Sequence, residues 1–274
     1  MILKSLQTAS FILLTFFLFS ATGFAQGDLM ILPKRLVFDG SQRSQEINLI
    51  NTGSNPATYA ISIIQYKMTE DGNFVEVTEP EEGQRFATDF LRYYPRQVVL
   101  GPNEAQTVRI QLTRTGNLEK GEYRSHIYFR AVEKQTALGE EDLNKDKGIS
   151  ISIKTVFGIS VPVIIREGIS TTTIKLNQLE LDRDPENPLL SMVINRTGNM
   201  SVYGELNVEH ISPVGLKTEI GKVKGMAIYT PNTKRNFALK LKNAEMVDLN
   251  EGKLNITYKT EEGKVLGESQ FQLN

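Results

Sequence analysis

The chain has 274 residues, 40% of them hydrophobic and 23% charged, enough apolar material for a sizeable core and a length that suits two ordinary domains. A formal charge of −1 and an isoelectric point near 6.2 leave no electrostatic footprint for nucleic acid, and no polybasic block points to an anionic membrane surface. The absence of cysteine excludes disulfides, thiol catalysis, cysteine metal sites and a lipid-modified cysteine anchor.

At the N-terminus, "MILKSLQ" carries one positive side chain, Lys4, "FILLTFFLF" is a short apolar run, and "ATGFAQ" ends in small residues. This is the pattern of a signal peptide over residues 1–25, with Gly23 and Ala25 before a cut between Ala25 and Gln26. The run from Phe11 to Phe19 is short of the roughly 20 apolar residues a spanning helix requires. Export without disulfides suits a bacterial envelope protein, found in the periplasm or outside the cell.

The mature chain reads as all-β. Short stretches of period-two apolar spacing recur between turn signals, and no long run has helical spacing. "QEINLIN" alternates through Ile47 and Leu49, "TGSNP" turns, and "ATYAISIIQYKM" returns; "RQVVL", the turn "GPNE" and "TVRIQL" follow, with Val108, Ile110 and Leu112 on one face. Both units read as hairpins. "GEYRSHIYFRAV" comes next, then a charged segment from Glu133 to Gly148 that is long for a tight turn and reads as an arm, then "GISISIKTVFGISVPVII". Beyond Ile165 the pattern restarts through "TTTIKLNQLEL", the turn "DRDPENP", "LLSMVIN", "SVYGELNVEHI", "NFALKLKN" and "GKLNITYKT". "INTGSNPATY" from Ile50 is echoed by "INRTGNMSVY" from Ile194. The spacing predicts two immunoglobulin-like β-sandwiches, residues 27–165 and 166–274.

Little in this chain carries chemistry. His126, inside "YRSHIYFR", and His210, ending "LNVEH", have no partner at ligand spacing and read as hydrogen-bonded structural histidines. "GLKTEIGK" has five residues between its glycines where a phosphate loop needs four, and Val223 where a hydroxyl should bind magnesium. Asp182, Asp184 and Glu186 have calcium-loop spacing, but Asn187 and Val193 stand where glycine and a bidentate carboxylate belong. Glu81 with Glu82, and Glu140 with Glu141, lie in polar loops that would not desolvate a carboxylate. Phe90, Tyr93 and Tyr94 suit either a sugar-stacking platform or cross-strand packing. No catalytic residue, cofactor or metal is expected.

The informative stretch is "GISISIKTVFGISVPVII". Ile149, Ile151 and Ile153 point to one face while Ser150, Ser152 and Lys154 point to the other; from Val156 onward both faces are apolar. The plain reading is an edge strand whose isoleucines face their own core. The alternative is a strand held out for another protein.

In chain order, "ILPKRLVFDGSQRSQEINLIN", "YYPRQVVLGPNEAQTVRIQL", "GEYRSHIYFRA" and "ISISIKTVFGISVPVII" resemble the first domain of PapD-like periplasmic chaperones of pilus assembly. The second half is similar only in size and class. The resemblance implies two sandwiches in a boomerang with a cleft between them, and a last first-domain strand lent to a pilin-like subunit. Ile149, Ile151 and Ile153 would then be the donor residues, filling the subunit's groove with about 5–9 kcal/mol of gross apolar burial. "RLVFDG" makes Arg35 the match for one of two basic residues that hold the subunit's terminal carboxylate, a role suited to a guanidinium fork.

The sequence departs from the family at the second basic residue, whose position falls on Gly158. Lys154 and Arg166 are the candidate substitutes. The family's arginine near the interdomain link is replaced around Pro162, which leaves the family's buried interdomain charge cluster an open question. The partners implied are pilin-like or other secreted subunits and an outer-membrane usher. The rival reading is a secreted structural or adhesive module of two stacked sandwiches, with a carbohydrate-active enzyme third.

Overall fold

The computed structural model describes residues 29–132 and 156–273. The signal peptide, the charged segment, Ile149, Ile151, Ile153 and Lys154 lie outside the described residues.

Strands β1 (Leu29–Leu32), β3 (Ser44–Asn51), β9 (Ala105–Leu112) and β7 (Leu91–Tyr94) form one four-stranded sheet in the order β1-β3-β9-β7. Strands β2 (Leu36–Phe38), β11 (Gly158–Glu167), β10 (Gly121–Val132), β4 (Ala57–Ile64) and β8 (Gln97–Leu100) form a five-stranded sheet in the order β2-β11-β10-β4-β8. Ile47, Leu49, Val108 and Ile110 from the first sheet meet Ile127, Phe129, Val161 and Val163 from the second in one core. Each set comes from every second residue of its strand, as a half-buried sheet demands.

The two turns read as hairpins are not hairpins. β3 pairs with β9 and β4 pairs with β8, so "TGSNP" and "GPNE" each carry the chain across the core from one sheet to the other. Pairing within one sheet would leave Tyr59 and Ile61 no facing sheet, and crossing buries both against the opposite layer. Asn51 ties the crossings together: its amide donates to the carbonyls of Asn55 (2.8 Å), Leu100 (3.1 Å) and Gly101 (3.1 Å), and its side-chain oxygen accepts from Gly53. A buried amide with three acceptors in range is a satisfied one.

The second sandwich repeats this plan. β12 (Thr173–Asp182), β13 (Leu189–Thr197) and β16 (Lys234–Lys240) form a three-stranded sheet. It faces a four-stranded sheet of β15 (Lys217–Ile228), β14 (Val202–Ile211), β17 (Lys253–Thr260) and β18 (Val265–Gln272), in that order. Ile194, Leu206, Val208, Leu254 and Tyr258 lie in its core. At the turn that echoes Asn51, Arg196 does the tying, donating to the carbonyls of Asn232 (2.8 Å), Gly198 (2.9 Å) and Met200 (2.8 Å). A separate hairpin, β5 (Tyr66–Met68) with β6 (Phe74–Glu76), projects from the first sandwich.

Candidate functional site at the junction of the two sandwiches

Strand β10 is buried on both faces through its first seven residues, unlike a strand with one wet face. Tyr123, Ile127 and Phe129 point into the first core, so by alternation Glu122, Arg124 and His126 point outward. In the adjacent β11, Val161, Val163 and Ile165 point inward, leaving Ser160, Pro162, Ile164 and Arg166 on that same outer face. In β2, Leu36 and Phe38 point inward and Arg35 and Val37 flank them on the outer side. The second sandwich and the β5–β6 hairpin cover this polar strip.

Glu122 and Arg166 are direct cross-strand neighbours. The Glu122 carboxylate, fully buried, is paired with Arg124 and accepts from Arg166 Nε at 3.3 Å. From the second sandwich it accepts the Ser201 amide N–H at 3.0 Å, the Ser201 hydroxyl at 2.6 Å and the Thr230 hydroxyl at 3.4 Å. Arg166 Nη2 also donates to the Ser201 carbonyl at 3.0 Å, and the Arg124 guanidinium lies 3.5 Å from the centre of the Tyr229 ring. Burial alone would raise the Glu122 carboxyl; Arg124, Arg166 and the Ser201 bonds outweigh it and hold the group below the usual carboxylate range.

A buried interdomain charge cluster is therefore present, which answers the question left open by the replacement around Pro162; Arg166, four residues further along β11, takes part in it. The sequence reading missed Glu122 and Arg124. Their signal is two charges at period-two spacing inside "GEYRSHIYF", a strand otherwise too apolar to be exposed.

Arg35 leaves the first sandwich just before β2, and its guanidinium stacks 4.0 Å from the ring centre of Tyr203 in the second. Its side chain is 18% exposed, and the nearest carboxylate, Glu261, is 3.9 Å away and 62% exposed. Burial, then the neighbouring Arg166, lower its basicity. Arg35 lines two cavities at the junction. One, of about 420 Å³, is bounded by Lys34, Tyr66, Phe74, His126, Tyr203 and Tyr229, and the other, of about 570 Å³, by Arg166, Ser201, Tyr203 and Glu261. Arg35 and Arg166 thus line one cavity.

Gly158 stands where any side chain would collide with the Tyr128 ring, so close packing against β10 accounts for the glycine. His210 is hydrogen-bonded as expected, its Nε2 2.9 Å from the Glu251 carbonyl. His126 departs from that expectation: its Nδ1 is buried with no hydrogen-bond partner among the described residues. The ring packs edge-on to Tyr66, with centroids 5.0 Å apart. Burial, then Arg124, push its pKa down to about 3, so the imidazole is neutral.

The three aromatics read from the sequence do not share a platform. Phe90 packs edge-on to Tyr123 and Tyr93 donates to the Ile61 carbonyl, while Tyr94 is 77% exposed. Asp182 and Asp184 accept backbone N–H groups of their own turn.

No family profile and no curated protein matches this chain. Among solved structures, a YadV chaperone is similar at 12% identity and a TM-score of 0.46, covering 90% of this chain and 100% of that one. The class 5 fimbriae chaperone CfaA is similar at 14% identity and a TM-score of 0.44, covering 90% and 99%. The CupB2 chaperone of Pseudomonas aeruginosa is similar at 15% identity and a TM-score of 0.43, covering 89% and 100%. Others of the similar structures are complexes of a chaperone with a tip adhesin or with a pilin. Among the described residues, no helix is long and apolar enough to cross a membrane.

Proposed function

We propose that the protein is a periplasmic chaperone that binds secreted, pilin-like subunits by strand donation and passes them on for surface assembly. In this reading Arg35, with Arg166 or Lys154 as the second basic contact, holds the subunit's terminal carboxylate. Ile149, Ile151 and Ile153 fill its open groove, and main-chain hydrogen bonds complete the foreign sheet. The observation that carries the reading is the setting of Arg35: largely buried at the junction, stacked on an aromatic ring, and met among the described residues by an exposed carboxylate at 3.9 Å. An ion pair so loose and so exposed contributes little, so an incoming carboxylate displaces Glu261 at small cost. The same setting supports a cleft protein over two sandwiches stacked as spacers, in which Arg35 would have no cavity to face.

The test is co-expression with subunits encoded beside the gene, comparing wild type with Arg35→Ala and Ile151→Asp. Wild type retains soluble subunit in the periplasmic fraction, Arg35→Ala retains less, and Ile151→Asp retains none. If both variants retain as much as wild type, strand donation is the wrong mechanism. Mass spectrometry of the exported chain checks the leader, with Gln26 as the expected first residue.

A further inference from the structure

The β5–β6 hairpin does not belong to either sheet of the first sandwich; it leans across the junction onto the second. Asn232 donates its side-chain N–H to the Met68 carbonyl at 2.7 Å, and the Asn236 backbone N–H donates to the Glu70 carbonyl at 2.8 Å. The Asn236 side chain donates to Asp71 at 3.1 Å, and Lys234 pairs with Glu70 at 2.9 Å. Met68 is buried in a small apolar cluster with Ala227 and Tyr229, and Phe74 packs on Tyr229 with centroids 5.5 Å apart. At the tip, Gly72 has φ +83°, and a side chain there would strike the Arg235 guanidinium. The tip is thus shaped to lie against β16.

The hydrogen bonds of this contact are separate from those of the Glu122 cluster, which joins β10 and β11 to Ser201 and Thr230, and the two attachments share one ring, Tyr229, between Arg124 and Phe74. The contact also serves the smaller cavity directly, because Tyr66 and Phe74 form its wall and cover His126. Arg35 comes from one sandwich and its platform Tyr203 from the other, so the geometry of that pair depends on how the two are held.

We infer that the β5–β6 hairpin is a second interdomain clasp, fixing the angle between the sandwiches and walling the cavity in which Arg35 stacks on Tyr203. Two attachments hold the pair of domains where one would leave a swivel. The hairpin's aromatic residues are positioning residues, acting on Arg35 through the second sandwich. The inference does not depend on strand donation and holds for any occupant of the cavity.

The absence of native cysteine makes the test clean. Spin labels on Gln106→Cys in the first sandwich and Val214→Cys in the second report the interdomain distance in the full chain. In wild type the distribution is narrow and single; with Phe74→Ala, Asn232→Ala and Asn236→Ala combined it broadens and shifts. With only two histidines in the chain, imidazole NMR titration gives a second readout. His126, faced by Arg124, Tyr66, Phe74 and Tyr229, resists protonation in wild type and titrates closer to an ordinary histidine in the variant. An unchanged distance distribution in a folded variant overturns the clasp. A broadened distribution with an unchanged His126 titration overturns the claim that the hairpin walls the cavity. Neither outcome bears on subunit capture, so failure here and failure of the chaperone reading are separable.

Discussion

At the scale of single residues, Glu122 is the side chain on which the junction most depends. It is fully buried between Arg124 and Arg166 and takes two hydrogen bonds from Ser201. Removing one partner from a buried ion pair strands the other charge, at a cost of roughly 3–5 kcal/mol. Glu122→Gln is expected to lower the unfolding free energy measured in urea by an amount in that range, while Arg35→Ala, with an exposed counter-ion, shifts it little. The pH dependence has two parts of the same sign. His126 stays neutral when folded down to about pH 3 but takes a proton near 6.5 when unfolded. Acid therefore favours the unfolded chain progressively between those values, a loss on the order of 5 kcal/mol when complete. The depressed Glu122 carboxyl contributes stability above its unfolded value, lost as pH falls through its lower folded value. Unfolding midpoints at about pH 7.5 and about pH 4.5 check this. The gap between them narrows in His126→Phe, and an equal gap in that variant would reject the assignment to His126.

At the scale of elements, the two tying side chains explain why sandwiches of similar plan read differently in sequence. Asn51 and Arg196 sit at equivalent turns, one gathering three carbonyls with an amide and the other with a guanidinium. Asn51→Ala leaves those carbonyls short of a donor and is expected to cost about 1–3 kcal/mol by chemical denaturation. Gly72→Ala at the hairpin tip meets both a positive φ and the Arg235 guanidinium, a combined loss of at least about 1 kcal/mol. The strands themselves were legible, because alternation at Ile47 and Leu49 or at Val108, Ile110 and Leu112 follows from one buried face. Which strands pair was not: a turn that crosses between sheets has the same Gly-Pro-Asn chemistry as one that closes a hairpin. The β5–β6 hairpin was missed for a related reason. "YKM" read as the end of the returning strand "ATYAISIIQYKM", but that strand stops at Ile64 and Tyr66–Met68 pairs with β6; "FVE" is too short to show a period, and what fixes both is the second sandwich.

At the scale of the whole molecule, two all-β halves were legible from the restart of the pattern beyond Ile165. Arg35 was reached through its resemblance to a known first-strand motif. The Glu122 cluster was left open because counting residues along one strand cannot reveal which charge on the neighbouring strand lies opposite. Cross-strand register, Glu122 against Arg166, is a property of the fold. With two attachments between the sandwiches, losses should not add. Glu122→Gln combined with the hairpin substitutions is expected to free the domains to tumble separately, seen as a drop in rotational correlation time by NMR relaxation. Either change alone is expected to lower it by less.

The stacking of Arg35 on Tyr203 and of Arg124 on Tyr229 has an optical side. Nine tyrosines and no tryptophan mean that ultraviolet emission comes from phenols alone, and two of them lie at the seam under cationic partners. Any swing of one half against the other changes the light these rings give back, so the protein carries its own label-free gauge of that motion.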